Sequence, residues 1–69
     1  MDAYDIIHEL SRKSKTPMRN IAKAEGVSVQ AFYKSLHGSI GLFKFQRMVE
    51  ACGYQIVIVD KENKLIKRL

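Results

Sequence analysis

The chain has 69 residues, a single cysteine and a formal net charge of +5 at pH 7. This length makes one small domain, near the lower limit for burying a self-sufficient core, and one cysteine excludes an internal disulfide framework. The sequence has no nucleophile–histidine–acid grouping, glycine-rich phosphate loop or paired-carboxylate signature, so we expect no enzymatic activity. The positive charge favours a polyanionic partner such as nucleic acid. The same charge could equally indicate binding to an acidic membrane surface or simple solubility.

Targeting and metal-binding signals are missing from the sequence. No signal peptide and no long apolar run is visible, which predicts a cytoplasmic location and no membrane partner. His8 has no second histidine, cysteine or carboxylate at ligand spacing, so we expect it at the solvent and expect no metal or cofactor. Cys52 falls on the apolar face of a predicted helix, where a buried, inert thiol is expected.

The first predicted helix covers residues 2–13. Ala3, Ile6, Ile7 and Leu10 recur at helical spacing and are expected to face the core. Residues 11–15 then read as a basic, polar connector. It is either a solvated loop or a phosphate-contacting segment, since it leads into the N-terminus of the next helix.

Residues 16–38 predict two short helices joined by a tight turn at Gly26, Val27 and Ser28. Thr16 is placed to cap the first of these helices, and Pro17 suits its first position. Gly26 is expected to end that helix with a positive φ. Val27 would plug the turn, and Ser28 would cap the second helix.

This segment resembles the helix-turn-helix of the phage repressor/Cro-like (XRE-type) family of DNA-binding proteins. The resemblance implies a mainly α, four-helix domain in which residues 28–37 form the recognition helix. The chain departs from the family at Ser35, which stands at an apolar position of the motif beside Leu36, so the back of this helix is expected to pack differently. The residues that carry the resemblance are Ile21, Ala22, Gly26, Val27, Ser28, Phe32 and Gly38.

The outward face of the recognition helix carries the predicted DNA contacts. The family reads bases with the first, second and sixth residues after the cap, which are Val29, Gln30 and Lys34 here. Glutamine can pair with adenine, lysine with guanine, and valine can pack on a thymine methyl group. The alternative is an ordinary solvated helix face. The full predicted set is Val29, Gln30, Tyr33 and Lys34 for bases, and Thr16, Arg19, Lys23, Ser28, His37, Ser39 and Lys44 for the DNA backbone.

A glycine-flanked loop at residues 38–41 precedes the last predicted helix, residues 42–52. The resemblance implies that this loop follows the sugar-phosphate backbone, with Ile40 anchoring it to the core. Gly53 is expected to stop the helix, and Phe43 lies off its apolar stripe, either at a partner surface or partly buried against the C-terminal arm. The predicted stripe is Leu42, Phe45, Met48 or Val49, and Cys52.

The last segment changes character. Residues 54–59 have strand composition, residues 60–63 a polar turn, and residues 64–69 a returning strand. The first strand is apolar on both faces, so we expect one face on the helices and a second copy over the other face or the open edge. The Cro branch of the family likewise dimerises through a C-terminal strand. The predicted dimer interface is Phe43, Tyr54, Ile56, Val57, Ile58 and Val59.

These observations predict one compact domain, with a DNA-binding part at residues 1–53 and a β arm for dimerisation at residues 54–69. The expected function is sequence-specific binding of double-stranded DNA by a homodimeric transcriptional repressor on an inverted-repeat operator. The resemblance implies a bacterial cell or a phage-infected host. The alternative is an antitoxin- or antirepressor-like module that binds a protein partner through the β arm.

Overall fold

The computed structural model describes residues 2–69, which form four helices followed by a two-stranded antiparallel hairpin. The predicted mainly α architecture with a C-terminal hairpin is confirmed at this level. The elements are α1 (Ala3–Ser14), α2 (Met18–Ala24), α3 (Val29–His37), α4 (Leu42–Ala51), β1 (Val57–Val59) and β2 (Leu65–Arg68).

Helix α1 begins with a reciprocal cap and runs further than predicted. The Asp5 N–H donates to the Asp2 side chain at 3.1 Å, and the Asp2 N–H donates to the Asp5 side chain at 3.3 Å. This capping box satisfies two N–H groups that the helix leaves unpaired. The connector predicted at residues 11–15 is wrong as far as Ser14, because α1 continues to that residue. Ser11 is buried, and its hydroxyl donates to the Thr16 carbonyl. This bond ties the next segment to the helix.

The predicted cap of α2 is also wrong. Thr16 does not cap this helix, since Pro17 is its N-cap residue and no side-chain cap bond is found there within residues 2–69. The Thr16 hydroxyl instead accepts a bond from the Ser14 hydroxyl at 3.0 Å. The extended ψ of 145° at Pro17 delays the first helical residue to Met18.

All four helices contribute to one hydrophobic core. In the described chain its buried members are Ile7, Ile21, Ala22, Phe32, Leu36, Met48, Val49 and Cys52. Ile40 is half-buried against this core, as predicted for the anchor of the α3–α4 loop.

The stripe predicted on α4 is correct from Phe45 onward but wrong at Leu42. Met48 and Val49 are both buried, while Leu42 is 52% exposed. Leu42 is the first residue of α4 and therefore lies beyond the end of the core that the other helices cover.

The predicted hairpin with its polar turn is present, but its strands are shorter than the predicted 54–59 and 64–69, since β1 begins only at Val57 and β2 ends at Arg68. Val57 pairs with Arg68, Ile58 with Lys67 and Val59 with Leu65, and the register shifts between Ile58 and Val59. The Asp60 carboxylate accepts bonds from the Glu62 and Lys64 N–H groups, each at 2.9 Å. These bonds hold the turn between the strands.

The expectation that one face of the first strand, predicted at residues 54–59, lies on the helices holds only at Ile56, which packs against the core. Every residue of β1 and β2 is exposed, and Ile56, just before β1, is the half-buried residue that packs against the core. After the turn at Gly53, whose φ is 85°, the chain touches the core at Ile56 and the strands then project from it. The hairpin is therefore an arm whose apolar side chains meet solvent on both faces.

None of the helices described between residues 2 and 69 combines the length and apolar character that crossing a bilayer requires.

Candidate nucleic-acid interface

The turn between α2 and α3 fixes how the two helices of the motif meet. The Gly26 N–H donates to the Lys23 carbonyl at 3.0 Å, and the Val27 N–H donates to the Ala22 carbonyl at 3.1 Å. This pair of bonds is the Schellman arrangement, which needs a left-handed residue at its first position. Gly26 supplies that conformation with a φ of 73°, so the predicted role of this glycine is confirmed.

The other half of the turn is also as predicted. The Ser28 hydroxyl accepts a bond from the Ala31 N–H at 3.1 Å and thereby caps α3. Val27 lies half-buried against the core and plugs the corner. The direction of α3 is thus set by hydrogen bonds at both sides of a short turn.

The inner face of α3 anchors the helix. Phe32 and Leu36 are both fully buried, as predicted from their spacing. The Ser35 hydroxyl donates to the Phe32 carbonyl at 3.0 Å, so this serine, which departs from the family motif, has its polar group satisfied inside its own helix. Leu36 fills the core in its place, and the rotation of α3 about its axis is fixed.

The outer face of α3 presents Val29, Gln30 and Lys34 to solvent. Val29 is 38% exposed although it is apolar, and Gln30 and Lys34 are exposed polar residues. Gln30 and Lys34 are four residues apart and lie on the side opposite Phe32 and Leu36, whereas Val29, three residues before Phe32, is partly exposed at the start of the helix. They are the residues predicted to read bases.

Tyr33 and His37, also predicted to contact DNA, lie against α1. The ring of Tyr4 stacks on that of His37 at 4.5 Å and meets Tyr33 edge-on at 5.7 Å, measured between ring centroids. His37 Nδ1 also lies 3.1 Å from an Asp2 carboxylate oxygen. Both side chains stay partly accessible, but each already has a partner in its own chain.

The capping bond within α1, together with the contact to His37 on α3, lowers the pKa of Asp2. The bond from the Asp5 backbone N–H, helped by His37, holds the pKa of Asp2 below its ordinary value of 3.8. Sequence reasoning missed the cluster, in which His8 also stacks on Tyr4 at 5.6 Å. Its signal was the pair of Tyr-x-x-x-His spacings at 4–8 and 33–37, each placing two rings on one helix face.

The residues predicted to contact the DNA backbone come from several segments around α3. Arg19 and Lys23 are exposed on α2, and Lys44 is half-buried in the first turn of α4. Ser39 is exposed in the α3–α4 loop, and Gly38 and Gly41 at the two ends of this loop are exposed as well. Of the remaining predicted contacts, Ser28 is exposed and already serves as a cap, His37 lies on Tyr4, and Thr16 is half-buried.

An ion pair missed by sequence reasoning fastens the motif to the last helix. Arg47 on α4 donates to a Glu25 carboxylate oxygen from two guanidinium nitrogens, at 3.3 and 3.4 Å. Glu25 is the residue that ends α2. The pair therefore holds the turn end of α2 against α4, beside a cleft of about 190 Å³.

The residues predicted at a dimer interface differ in accessibility. Phe43 is 72% exposed, Ile58 49% and Tyr54 40%, so these apolar side chains are free to meet a partner. Val57 and Val59 are exposed as well. Ile56 is directed instead toward its own core.

Cys52 is buried, as predicted, and this burial raises the pKa of its thiol. Within residues 2–69 no group of three or more histidine, cysteine, aspartate or glutamate side chains is arranged to hold a metal ion.

No protein-family model, curated protein or solved structure matches this chain. The resemblance to the phage repressor/Cro-like family therefore rests on the residues of the α2–turn–α3 segment.

Proposed function

We propose that this chain is a sequence-specific double-stranded DNA-binding transcriptional regulator of the phage repressor/Cro-like type, acting as a repressor. One observation carries the proposal. The turn at Gly26 and the buried Phe32 and Leu36 fix α3 so that Gln30 and Lys34 face outward, with Val29 partly exposed at the start of the helix. A helix held in this way can enter a major groove without rearranging the domain.

The three outward side chains offer the chemistry of base recognition. Gln30 can make two hydrogen bonds with an adenine edge, and Lys34 can donate to guanine acceptors. Val29 keeps an apolar surface in water, and a thymine methyl group is a partner that would cover it. Tyr33 would act at the groove edge, since its ring already leans on Tyr4.

The surrounding charges suit the phosphate backbone. Arg19 and Lys23 are exposed on α2 and Lys44 is half-buried on α4, in a chain whose net charge is +5. Ser39 and its flanking glycines would allow the α3–α4 loop to approach the sugar-phosphate chain. These contacts would orient the protein, and α3 would read the sequence.

The proposed active form is a homodimer. The exposed apolar residues of the hairpin arm would be covered by a second copy, which would also occupy the open strand edges. Two copies would place their α3 helices in successive major grooves about 34 Å apart on an inverted repeat. Repression would follow from occlusion of a promoter, an inference that rests on the likeness to the family.

Replacing Lys34 tests base reading by α3. Duplexes selected from a random pool would supply the operator, and fluorescence anisotropy would measure affinity for the operator and for random DNA. Lys34→Ala should weaken operator binding by about 1–3 kcal/mol and relax the preference at one base position, because a direct base contact is lost.

The matched control is Lys61→Ala, which removes the same charge from the exposed hairpin turn and should leave selectivity unchanged. If Lys34→Ala lost the same affinity for operator and for random DNA, Lys34 would contact a phosphate and not a base. A pool that yields no enriched duplex would refute sequence-specific binding.

A second candidate function is favoured by the exposed arm. Ile58 and Ile66 are 49% and 62% exposed on strands that the helices leave uncovered, which also suits an antitoxin- or antirepressor-like module with a protein partner. Size-exclusion chromatography separates the two functions. A dimer that shifts a duplex supports the regulator, whereas a monomer or aggregate that only a co-expressed partner renders soluble supports the interaction module.

A further inference from the structure

His37, the last residue of α3, is held by two residues near the start of α1. Its Nδ1 atom lies 3.1 Å from a carboxylate oxygen of Asp2. Its ring stacks on that of Tyr4 at 4.5 Å between centroids, with an angle of 22° between the planes. These contacts therefore fix both the position and the plane of the imidazole ring.

The Asp2 contact determines which ring nitrogen of His37 carries a proton. The bond from the Asp5 backbone N–H lowers the pKa of Asp2 from its ordinary value of 3.8, so this carboxylate is ionised at neutral pH. An ionised carboxylate only accepts hydrogen bonds, and Nδ1 of His37 must therefore be the donor. In the neutral ring Nε2 is then an acceptor, and it becomes a donor only when the ring takes up a second proton.

The groups around His37 act on that second proton. The ionised Asp2 and the face of the Tyr4 ring both favour the charged imidazolium. The C-terminal end of α3 has the same effect, since His37 is its last residue. Lys34, three residues earlier on α3, opposes the charge. The other titratable side chains packed on this cluster are Tyr33 and His8, which contact Tyr4, and Asp5, which contacts Asp2.

The opposite edge of the His37 ring is accessible. The side chain is 55% exposed, and within residues 2–69 no hydrogen-bond partner of Nε2 is found. His37 lies three residues from Lys34, so both belong to the last turns of the proposed reading helix. A charged imidazolium donates a strong hydrogen bond to a phosphate oxygen, whereas a neutral Nε2 acceptor cannot.

We propose that His37 binds a DNA phosphate through Nε2 in its charged form, so that DNA binding takes up a proton at this residue. Asp2 and Tyr4 act as positioning residues, since they hold the ring at its other edge and on one face. This inference rests on the DNA binding of the proposed function and adds a dependence on pH. Affinity rises as the pH falls and is lost as the imidazole gives up its charge.

NMR of the imidazole nitrogens tests the positioning in the free chain. At high pH, where the ring is neutral, His37 should carry its proton on Nδ1 because the Asp2 carboxylate accepts it. Asp2→Asn, which keeps a side chain able to cap α1, should weaken this preference. His8→Gln leaves a single histidine and so assigns the signals. A neutral His37 ring with its proton on Nε2 would overturn the positioning by Asp2.

Fluorescence anisotropy with a duplex of random sequence tests the proton uptake, because a phosphate contact needs no particular sequence. Titrations at constant ionic strength would cover about pH 6 to pH 8, the range in which histidine changes charge. For each protomer bound, wild type should bind about five- to tenfold more tightly at the lower pH, since one ion contact shifts a protonation equilibrium by about one pH unit. His37→Gln should lose this gain, and His8→Gln, the matched control, should keep it.

Variants of the positioning residues should change the pH profile. Asp2→Asn should move the rise in affinity to lower pH, because the imidazolium loses the charge that favours it. Tyr4→Leu should reduce the gain, and Tyr4→Phe, which keeps an aromatic face, should restore it. Equal losses of affinity at both ends of the pH range would assign Tyr4 a structural role only and overturn its positioning role. Circular dichroism identifies any variant that fails to fold.

The outcomes separate this inference from the proposed function. A duplex affinity independent of pH, or a pH dependence that survives in His37→Gln, would overturn the proton uptake and leave the regulator intact. A chain that takes up the proton on random DNA but enriches no duplex from a random pool would refute only sequence-specific regulation. A chain that binds no duplex would overturn both.

Discussion

Gly26 is the residue on which the geometry of the motif depends. Its φ of 73° lets two N–H groups turn back onto carbonyls of α2, and Ser28 then starts α3 two residues later. A side chain on a left-handed residue costs about 1–2 kcal/mol. The space around the Gly26 Cα is open, so the cost of a substitution comes from the backbone and not from a clash.

Gly26→Ala should therefore lower the free energy of unfolding by about 1–2 kcal/mol. Chemical denaturation monitored by circular dichroism would measure the loss. The affinity for operator DNA should fall as well if the turn relaxes, because α3 would change direction.

Gly41→Ala is the matched control, since Gly41 also has open space around it but a φ of −72° that alanine adopts readily. Its effect should stay below about 1 kcal/mol. Equal losses at the two glycines would show that positive φ at Gly26 is not what matters.

The hairpin is the element that the helices leave uncovered. Its hydrogen-bonded ladder and its Asp60 turn are formed, yet every residue of β1 and β2 is exposed. An isolated two-stranded hairpin is marginally stable in water. A covering partner would stabilise it by burying the apolar faces that the helices do not reach.

Two isoleucine substitutions distinguish the role of a residue in the exposed arm, Ile58, from that of a residue packed against the core, Ile56. Ile58→Thr should change the free energy of unfolding by less than about 0.5 kcal/mol at low protein concentration, because Ile58 is exposed in the monomer. The same variant should dimerise more weakly in sedimentation experiments. Ile56→Thr should instead cost about 1–3 kcal/mol, since Ile56 packs against the core.

If Ile58→Thr destabilised the monomer as much as Ile56→Thr, the strands would have to lie on the helices in solution. If Ile58→Thr left dimerisation unchanged, the arm would not belong to the interface.

At the scale of the whole molecule, the formal net charge of +5 favours binding to phosphates. Arg19, Lys23 and Lys44 of two protomers would neutralise about six phosphates and release their counterions. The chain has 12 lysine and arginine residues against 7 acidic ones, so the remaining surface does not cancel this attraction.

Affinity for DNA should consequently fall steeply with salt. The logarithm of the association constant should decrease with the logarithm of salt concentration with a slope of about −5 for wild type. Arg19→Gln should make the slope shallower by about 2, because the dimer loses two phosphate contacts. Anisotropy titrations at several salt concentrations would give both slopes.

Lys61→Gln, in the hairpin turn, should retain the wild-type slope. A complex insensitive to salt would argue against backbone contacts altogether, and equal slopes for wild type and Arg19→Gln would remove Arg19 from the interface.

Local sequence patterns predicted much of this fold. The spacing of Phe32 and Leu36 gave the buried face of α3, and the Gly26–Ser28 turn gave the junction of the two helices. Errors arose where a residue had two possible partners. The position of Thr16 predicts a cap of α2, but its hydroxyl bonds to Ser14; the polar stretch at Ser11 predicts a loop, but Ser11 is buried in α1.

The candidate site was predictable only in part, for the same reason. Val29, Gln30 and Lys34 lie on the surface, as predicted. Tyr33 and His37 lie on that stretch as well, yet Tyr4 on α1 holds both rings. That contact joins residues far apart in sequence. The local Tyr-x-x-x-His spacings place two rings on one face of each helix, but they cannot show that the two faces meet.

The sequence by itself determined the helices, the motif turn, the hairpin and the charge, since each depends on neighbouring residues or on composition. Tertiary structure alone decided which apolar side chains the domain can cover. Leu42, Phe43 and the strand residues carry the same hydrophobic signal as the core, but four short helices enclose a limited volume, and these residues lie beyond its edge. Burial depends on how all the helices pack together. Only the tertiary structure therefore distinguishes a core residue from an exposed apolar residue that a partner could cover.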